Sequence, residues 1–288
     1  MQNNDMTIQF WGVRGNLPVP GKETLRYGGN TNCVTVYVAN QWFIFDAGSG
    51  IKKFSEFLGN TREKNLSANL FISHPHWDHI NALPHFDPFF AKGNTFNIYA
   101  GCPELTTIEN LIFGQMSNPH YPITVKEMSA SLVFHNLQEE SFKIGDIQIQ
   151  SMRLNHPGIC LGYRLQHQQK VFCYITDNEL PLRNSPEYDH DFIVRLTKFI
   201  HGADVVIMDA TYSDEEYLQK VGWGHACISQ VVALADAAKV KKLCLFHHCP
   251  SQKDVDIDAK LKSATDWLMK HHSATICIAP SEDDKLII

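Results

Sequence analysis

The sequence predicts an α+β fold, an αββα sandwich of two mixed β-sheets with helices on the outer faces. Three observations carry that expectation. The first strands come as hairpins, the later ones alternate with helices, and no internal repeat, low-complexity tract or long charge run marks a linker. A single domain spanning residues 1–288 is therefore expected, and 44% hydrophobic residues give it ample material for a core.

Taken in order, Thr7 to Trp11 is apolar at alternate positions and runs into the glycine-rich stretch Gly12 to Gly29. Cys33 to Val38 and Trp42 to Asp46 are β-branched and aromatic runs joined by Ala39-Asn40-Gln41, a hairpin pattern. Asn69 to Ser73, Phe96 to Ala100, Ile147 to Arg153, Leu161 to Leu165 and Val171 to Thr176 continue the strands. Helical spacing marks Ile51 to Leu58, Glu104 to Phe113 and Phe192 to Ile200. The last third alternates: strand Val205 to Asp209, helix Ile228 to Ala238, strand Leu243 to Phe246, helix Val255 to Met269 and strand Thr275 to Ala279.

The formal charge of −6 argues against a general nucleic-acid binder. Met1 to Asp5 is polar, and no apolar run reaches the roughly 18 residues of a membrane span, so neither a secretory signal nor a membrane contact is expected. The eight cysteines are scattered without a Cys-x-x-Cys pair, which fits reduced thiols in a cytoplasmic protein.

The densest chemical signal is Ser73-His74-Pro75-His76-Trp77-Asp78-His79, directly after a buried strand. Pro75 disfavours a helix there, so His74 and His76 lie on an extended loop and can converge on one cation. Asp78 and His79 then open a helix expected at Ile80 to Leu83 and can face a second cation. These donors suit zinc, and also manganese or iron. A merely histidine-rich surface loop would not be followed by further donors at later strand ends. Here His156 follows Ile147 to Arg153, Asp177 follows Val171 to Thr176, and His247 and His248 follow Leu243 to Phe246.

His74-x-His76-x-Asp78-His79, followed by His156, Asp177 and His247, resembles the metallo-β-lactamase superfamily over nearly the whole chain. The resemblance implies that His74, His76 and His156 hold one of two divalent ions. Asp78, His79 and His247 would hold the other, with Asp177 bridging them. Adjacent residues leaving a strand point to opposite sides, so only one of His247 and His248 should be a ligand; His247 is favoured. Trp11 to Gly21 with Tyr27-Gly28-Gly29-Asn30-Thr31-Asn32-Cys33, and Met208-Asp209-Ala210-Thr211-Tyr212 with Trp223-Gly224-His225-Ala226, resemble the phosphodiesterase-like and tRNase Z-like branch. That branch implies hydrolysis of a phosphodiester by a hydroxide held between cations about 3.5–4 Å apart, with Asp78, Asp209 and His225 as catalytic residues. Asp209 would hold His225 cationic, for phosphate contact or protonation of the leaving oxygen.

Blander roles are expected elsewhere. Gly28-Gly29-Asn30 reads as a tight turn before a phosphate cradle, Arg14 as an anion contact or a structural ion pair, and Trp77 as packing under the metal loop. His120 sits on a loop that faces substrate in relatives, although plain packing is favoured; His85, His190, His201, His271 and His272 read as surface or packing residues. Two departures stand out: Ala82 replaces a usual glycine, and Cys249 an aspartate that would orient the neighbouring histidine.

The leading expectation is a zinc phosphodiesterase whose partner is a small cyclic phosphate or cyclic nucleotide, with monomer and homodimer both open. A tRNA 3′-end endonuclease is the nearest rival. Such enzymes carry a basic, glycine-rich arm, whereas Cys102 to His156 holds Lys126 and Lys143 without a basic cluster. An iron-dependent oxidoreductase on the same fold would leave Asp209 and His225 without a role, and a non-catalytic module would have no need of the full donor set.

Overall fold

Strand β1 (Thr7–Gly12), the hairpin of β2 (Cys33–Val38) and β3 (Gln41–Phe45), and then helix α1 (Ile51–Thr61) coincide with the apolar runs that open the sequence. This is a computed structural model, describing residues 5–61, 65–183 and 185–288. In the β2–β3 hairpin Val38 pairs with Gln41, and the intervening Ala39 and Asn40 have φ of 49° and 59°, as a two-residue primed turn requires. Helix α1 buries Ile51, Phe54, Ser55 and Leu58, one stripe at helical spacing. Next come β4 (Ser67–Phe71), α2 (Trp77–Ile80), β5 (Thr95–Ala100), α3 (Ile108–Phe113) and β6 (Ser131–Asn136).

The rest of the chain forms β7 (Ser141–Ile144), β8 (Ile147–Arg153), β9 (Leu161–His167), β10 (Lys170–Ile175), α4 (His190–Ile200), β11 (Val205–Asp209) and α5 (Asp214–Tyr217). It continues with α6 (Ile228–Ala237), β12 (Lys242–Phe246), α7 (Asp254–Lys270), β13 (Ile276–Ile278) and β14 (Lys285–Ile287). Among the described residues two mixed sheets of seven strands result, ordered β14-β1-β2-β3-β4-β5-β6 and β13-β12-β11-β10-β9-β8-β7, with seven α-helices: the expected α+β class.

The described residues divide into two compact units. One comprises those up to Val19, Gly28–Leu137 and Ser281–Ile288 and holds the first sheet; the other comprises Pro20–Tyr27 and Gln138–Pro280 and holds the second. Each has its own core. In the first unit Phe54, Phe86, Phe89 and Phe96 pack around Ile44, Leu70 and Ile98; in the second, Val206, Met208, Val231, Leu243 and Leu245 do so. Strands β11 and β12 are parallel and almost wholly buried, which is why they read as continuous apolar runs. Burying each such side chain contributes about 1.5–3 kcal/mol.

Several boundaries differ from expectation for local reasons. Asp78 and His79 lie inside α2, and Pro84 starts a separate 3-10 turn at Leu83–His85, so no helix runs from Ile80 to Leu83. Helix α3 starts late because Thr107 caps it, its side chain accepting a hydrogen bond from the Asn110 N–H. Strands β6, β7 and β14 escaped the sequence pattern. All three are only half-buried at best, and β7 and β14 are also short. Among the described residues no helix is long and apolar enough to cross a membrane, and the cysteines are all free thiols.

Candidate functional site

In the first unit the donor motif leaves β4 as an extended loop. His76 has β-region φ/ψ of −62° and 150°, and the chain then turns into α2. The ring of His74 lies 4.3 Å from those of His76 and His79, centroid to centroid, so the imidazoles cluster as expected. His79 Nε2 is 3.2 Å from Asp78 Oδ2. Imidazole nitrogen and carboxylate oxygen gathered in this way are the donor types of a divalent cation site.

Two of these donors, His79 and Asp78, are braced. Asp46, wholly buried just after β3, accepts a hydrogen bond from His79 Nδ1 at 2.7 Å, which turns Nε2 toward Asp78. The same carboxylate accepts from the Ser73 N–H at 2.7 Å and the Ser73 hydroxyl at 2.8 Å. Asp78 Oδ2 accepts from the Asn16 N–H at 2.7 Å, giving the glycine-rich opening a structural task. Gly48 is required there, because a Cβ would stand 2.1 Å from the Asp78 carbonyl oxygen.

One expectation about this unit is revised, and two open ones gain a structural reading. Trp77 is 74% exposed instead of packed beneath the loop: Asp78 and His79 take the inward positions of the helical turn and leave their neighbour outward. Arg14 is fully buried and its Nε donates to the Gly28 carbonyl at 2.9 Å, so it braces the loop from within. The Asn30 N–H donates to Glu282 at 2.6 Å, which leaves Gly28-Gly29-Asn30 a tied turn without that N–H for a phosphate. His120 lies exposed on its loop.

In the second unit the donors come from separate strand ends. His156 follows β8, Asp177 follows β10, Asp209 ends β11 and His247 follows β12, while His225 precedes α6. Asp177, Asp209, His225 and His247 are buried and offer ligand atoms within 4.8 Å of one another. His247 Nε2 is 3.1 Å from Asp177 Oδ1, and His156 Nε2 is 3.7 Å from Asp177 Oδ2. Asp177 thus has an imidazole near each oxygen. His225 stacks on His247 at 4.8 Å between ring centroids.

The supporting bonds decide which nitrogens point inward. His156 Nδ1 donates to the Gly224 carbonyl at 2.8 Å, and His247 Nδ1 lies 3.0 Å from the Thr211 hydroxyl, so Nε2 of each faces Asp177. Thr211 in turn donates to Asp209 Oδ1 at 2.7 Å. His248 turns the other way, taking a hydrogen bond from Lys260 Nζ at 3.0 Å; Lys260 also donates to the carbonyls of Ala210 and Thr211. Thr211 thereby supplies the orientation that Cys249 cannot. Asp209 Oδ2 is 2.7 Å from His225 Nδ1. Burial pushes the Asp209 carboxyl up, but His225 outweighs it and holds the group below its ordinary value.

Residues 41–248 match the family model described as the beta-lactamase superfamily domain. The chain belongs to that superfamily. Among its relatives, Ribonuclease Z of Oceanobacillus iheyensis is 22% identical over 304 residues, covering 90% of this chain and 94% of that one. The metallo-beta-lactamase fold protein YhfI from Bacillus subtilis shares the fold with a TM-score of 0.69 at 15% identity, over 99% of this chain and 100% of that one. Unliganded yeast PDE1 does so with a TM-score of 0.70 at 12% identity, both chains fully covered.

Asp46, Thr211, Lys260 and Glu179 are the supporting residues that sequence reasoning missed. Lys260 carried a detectable signal: Ile257, Lys260, Ala264 and Leu268 are the buried positions of α7, so a lysine occupies a place on its core stripe.

Proposed function

We propose that this chain is a metal-dependent phosphodiesterase, with residues 1–288 as a single hydrolase domain. In this reading His74, His76 and His156 hold one divalent ion, Asp78, His79 and His247 a second, and Asp177 joins them. Zinc suits the nitrogen and oxygen donors, with manganese and iron as alternatives. When bound, such a pair neutralises phosphoryl oxygens and makes water a nucleophile at neutral pH.

The observation that carries the hydrolytic reading is the 2.7 Å contact of His225 Nδ1 with Asp209, beside Asp177 and His247. Asp209, further held by Thr211 and by the Asn178 N–H, fixes the imidazole and stabilises its protonated form. The opposite nitrogen, Nε2, then delivers a proton to the departing oxygen. Asp78, tied by Asn16, contributes charge and position in the first unit.

For the substrate, the relatives named Ribonuclease Z support an RNA phosphodiester, with a tRNA 3′ end as the specific form. A small cyclic phosphate or cyclic nucleotide is the second reading, and charge favours it. The chain carries −6, and residues 102–156 hold Lys126, Lys143 and Arg153 against Glu104, Glu109, Glu127, Glu139, Glu140 and Asp146. The test is to offer zinc- or manganese-loaded protein a tRNA precursor with a 3′ trailer, 2′,3′- and 3′,5′-cyclic nucleotides, and cyclic ribose phosphate. Trailer removal supports the RNA reading and turnover of the cyclic compounds alone the second. No hydrolysis of any phosphodiester would end both.

A further inference from the structure

Trp223 stands two residues before His225 and is 58% exposed, yet the backbone around it is held firmly. Glu179, a buried carboxylate, accepts hydrogen bonds from the N–H groups of Gly222 at 2.7 Å and Gly224 at 2.8 Å, one on either side of the tryptophan. It also accepts from the Tyr217 hydroxyl at 2.9 Å. Three donors on one buried carboxylate make a stiff anchor. The far end of the segment is fixed too, because the Gly224 carbonyl accepts from His156 Nδ1. Gly224 has φ of 82°, and a Cβ there would come within 2.4 Å of the His156 ring. Lys220 Nζ lies over the indole, 3.8 Å from its centroid, so a cation sits on one face of the ring.

More than half of the indole is open to solvent, so its rigid mounting beside a candidate ligand leaves ring surface for an outside partner. We propose that Trp223 is a stacking platform for a nucleobase of the substrate, with Lys220 as a contact for a neighbouring phosphate. The proposal rests on the phosphodiesterase reading and adds what that reading leaves open: recognition of a base as well as a phosphate. Every nucleobase has a π-face, so the platform tolerates sequence but rejects a substrate without a base.

The test compares wild type, Trp223→Ala and Trp223→Phe on a 2′,3′-cyclic nucleotide, on the base-free ribose cyclic phosphate and on a tRNA precursor. For base-bearing substrates Trp223→Ala should raise KM about tenfold or more, with Trp223→Phe close to wild type. The base-free compound should not distinguish the variants. An effect confined to the precursor or to the cyclic nucleotide identifies which source of base the platform serves. Equal losses with and without a base, or no loss at all, would overturn the proposal while leaving the phosphodiesterase reading intact. If nothing is hydrolysed, calorimetric titration with adenosine 5′-monophosphate still decides: tighter binding by wild type than by Trp223→Ala supports the platform, and equal binding refutes it.

Discussion

Both units run through three antiparallel strand pairings and then three parallel ones, and in each an aspartate with positive φ stands just past the second strand of a tight hairpin. Asp46 follows β3 with φ of 57°, and Asp177 follows β10 with φ of 47°. Their surroundings differ. Asp46 is sealed in behind the donors, where it holds the Nδ1 of His79 and both polar groups of Ser73. Asp177 meets the Nε2 atoms of His156 and His247. The same strand-end geometry thus supplies a brace in one unit and the proposed donor in the other. What separates them is which nitrogen of the facing imidazole each carboxylate meets.

That contrast can be broken by exchanging charge for amide at each position. Asp177→Asn should abolish hydrolysis of bis(p-nitrophenyl) phosphate even with saturating metal, since a donor is gone. His225→Ala comes next, with a loss on the order of 100- to 10,000-fold on substrates with poor leaving groups. Its metal content, read by elemental analysis, should stay near that of wild type; full activity on an alkoxide leaving group would remove His225 from its acid role. Asp46→Asn should weaken metal affinity about 10–100-fold, with turnover recovering as metal is raised. If its activity stays absent at saturation, Asp46 is more than a brace. The smallest effect is expected from Lys260→Met. Losing the ammonium that joins the Ala210 and Thr211 carbonyls to His248 should cost about 1–3 kcal/mol in denaturant unfolding, with the metal stoichiometry kept.

The comparison also explains what the sequence disclosed. His74, His76, Asp78 and His79 were legible because they share one short loop and turn, where spacing alone encodes convergence. His156, Asp177 and His247 were legible as polar residues at the ends of apolar runs, a placement that follows from strand topology. Their supports were not. Asp46 reaches His79 across 33 positions, Thr211 reaches His247 across 36, and Glu179 reaches Gly224 across 45. Each is a single polar residue whose partner only the folded sheet brings near, so no local pattern announces it. The hairpins and βα alternation gave the sheets in outline. They did not disclose that the same progression occurs once in each unit, because the two stretches share strand order without an internal repeat in sequence.

The proposal that Asp177 joins two divalent ions is tested most directly by electron paramagnetic resonance of the manganese-loaded protein. Two equivalents per chain should give the multiline spectrum of an exchange-coupled pair, reduced to a single-ion signal in Asp177→Asn. Two independent single-ion signals in the wild-type protein, or no binding of either manganese or zinc, would contradict it.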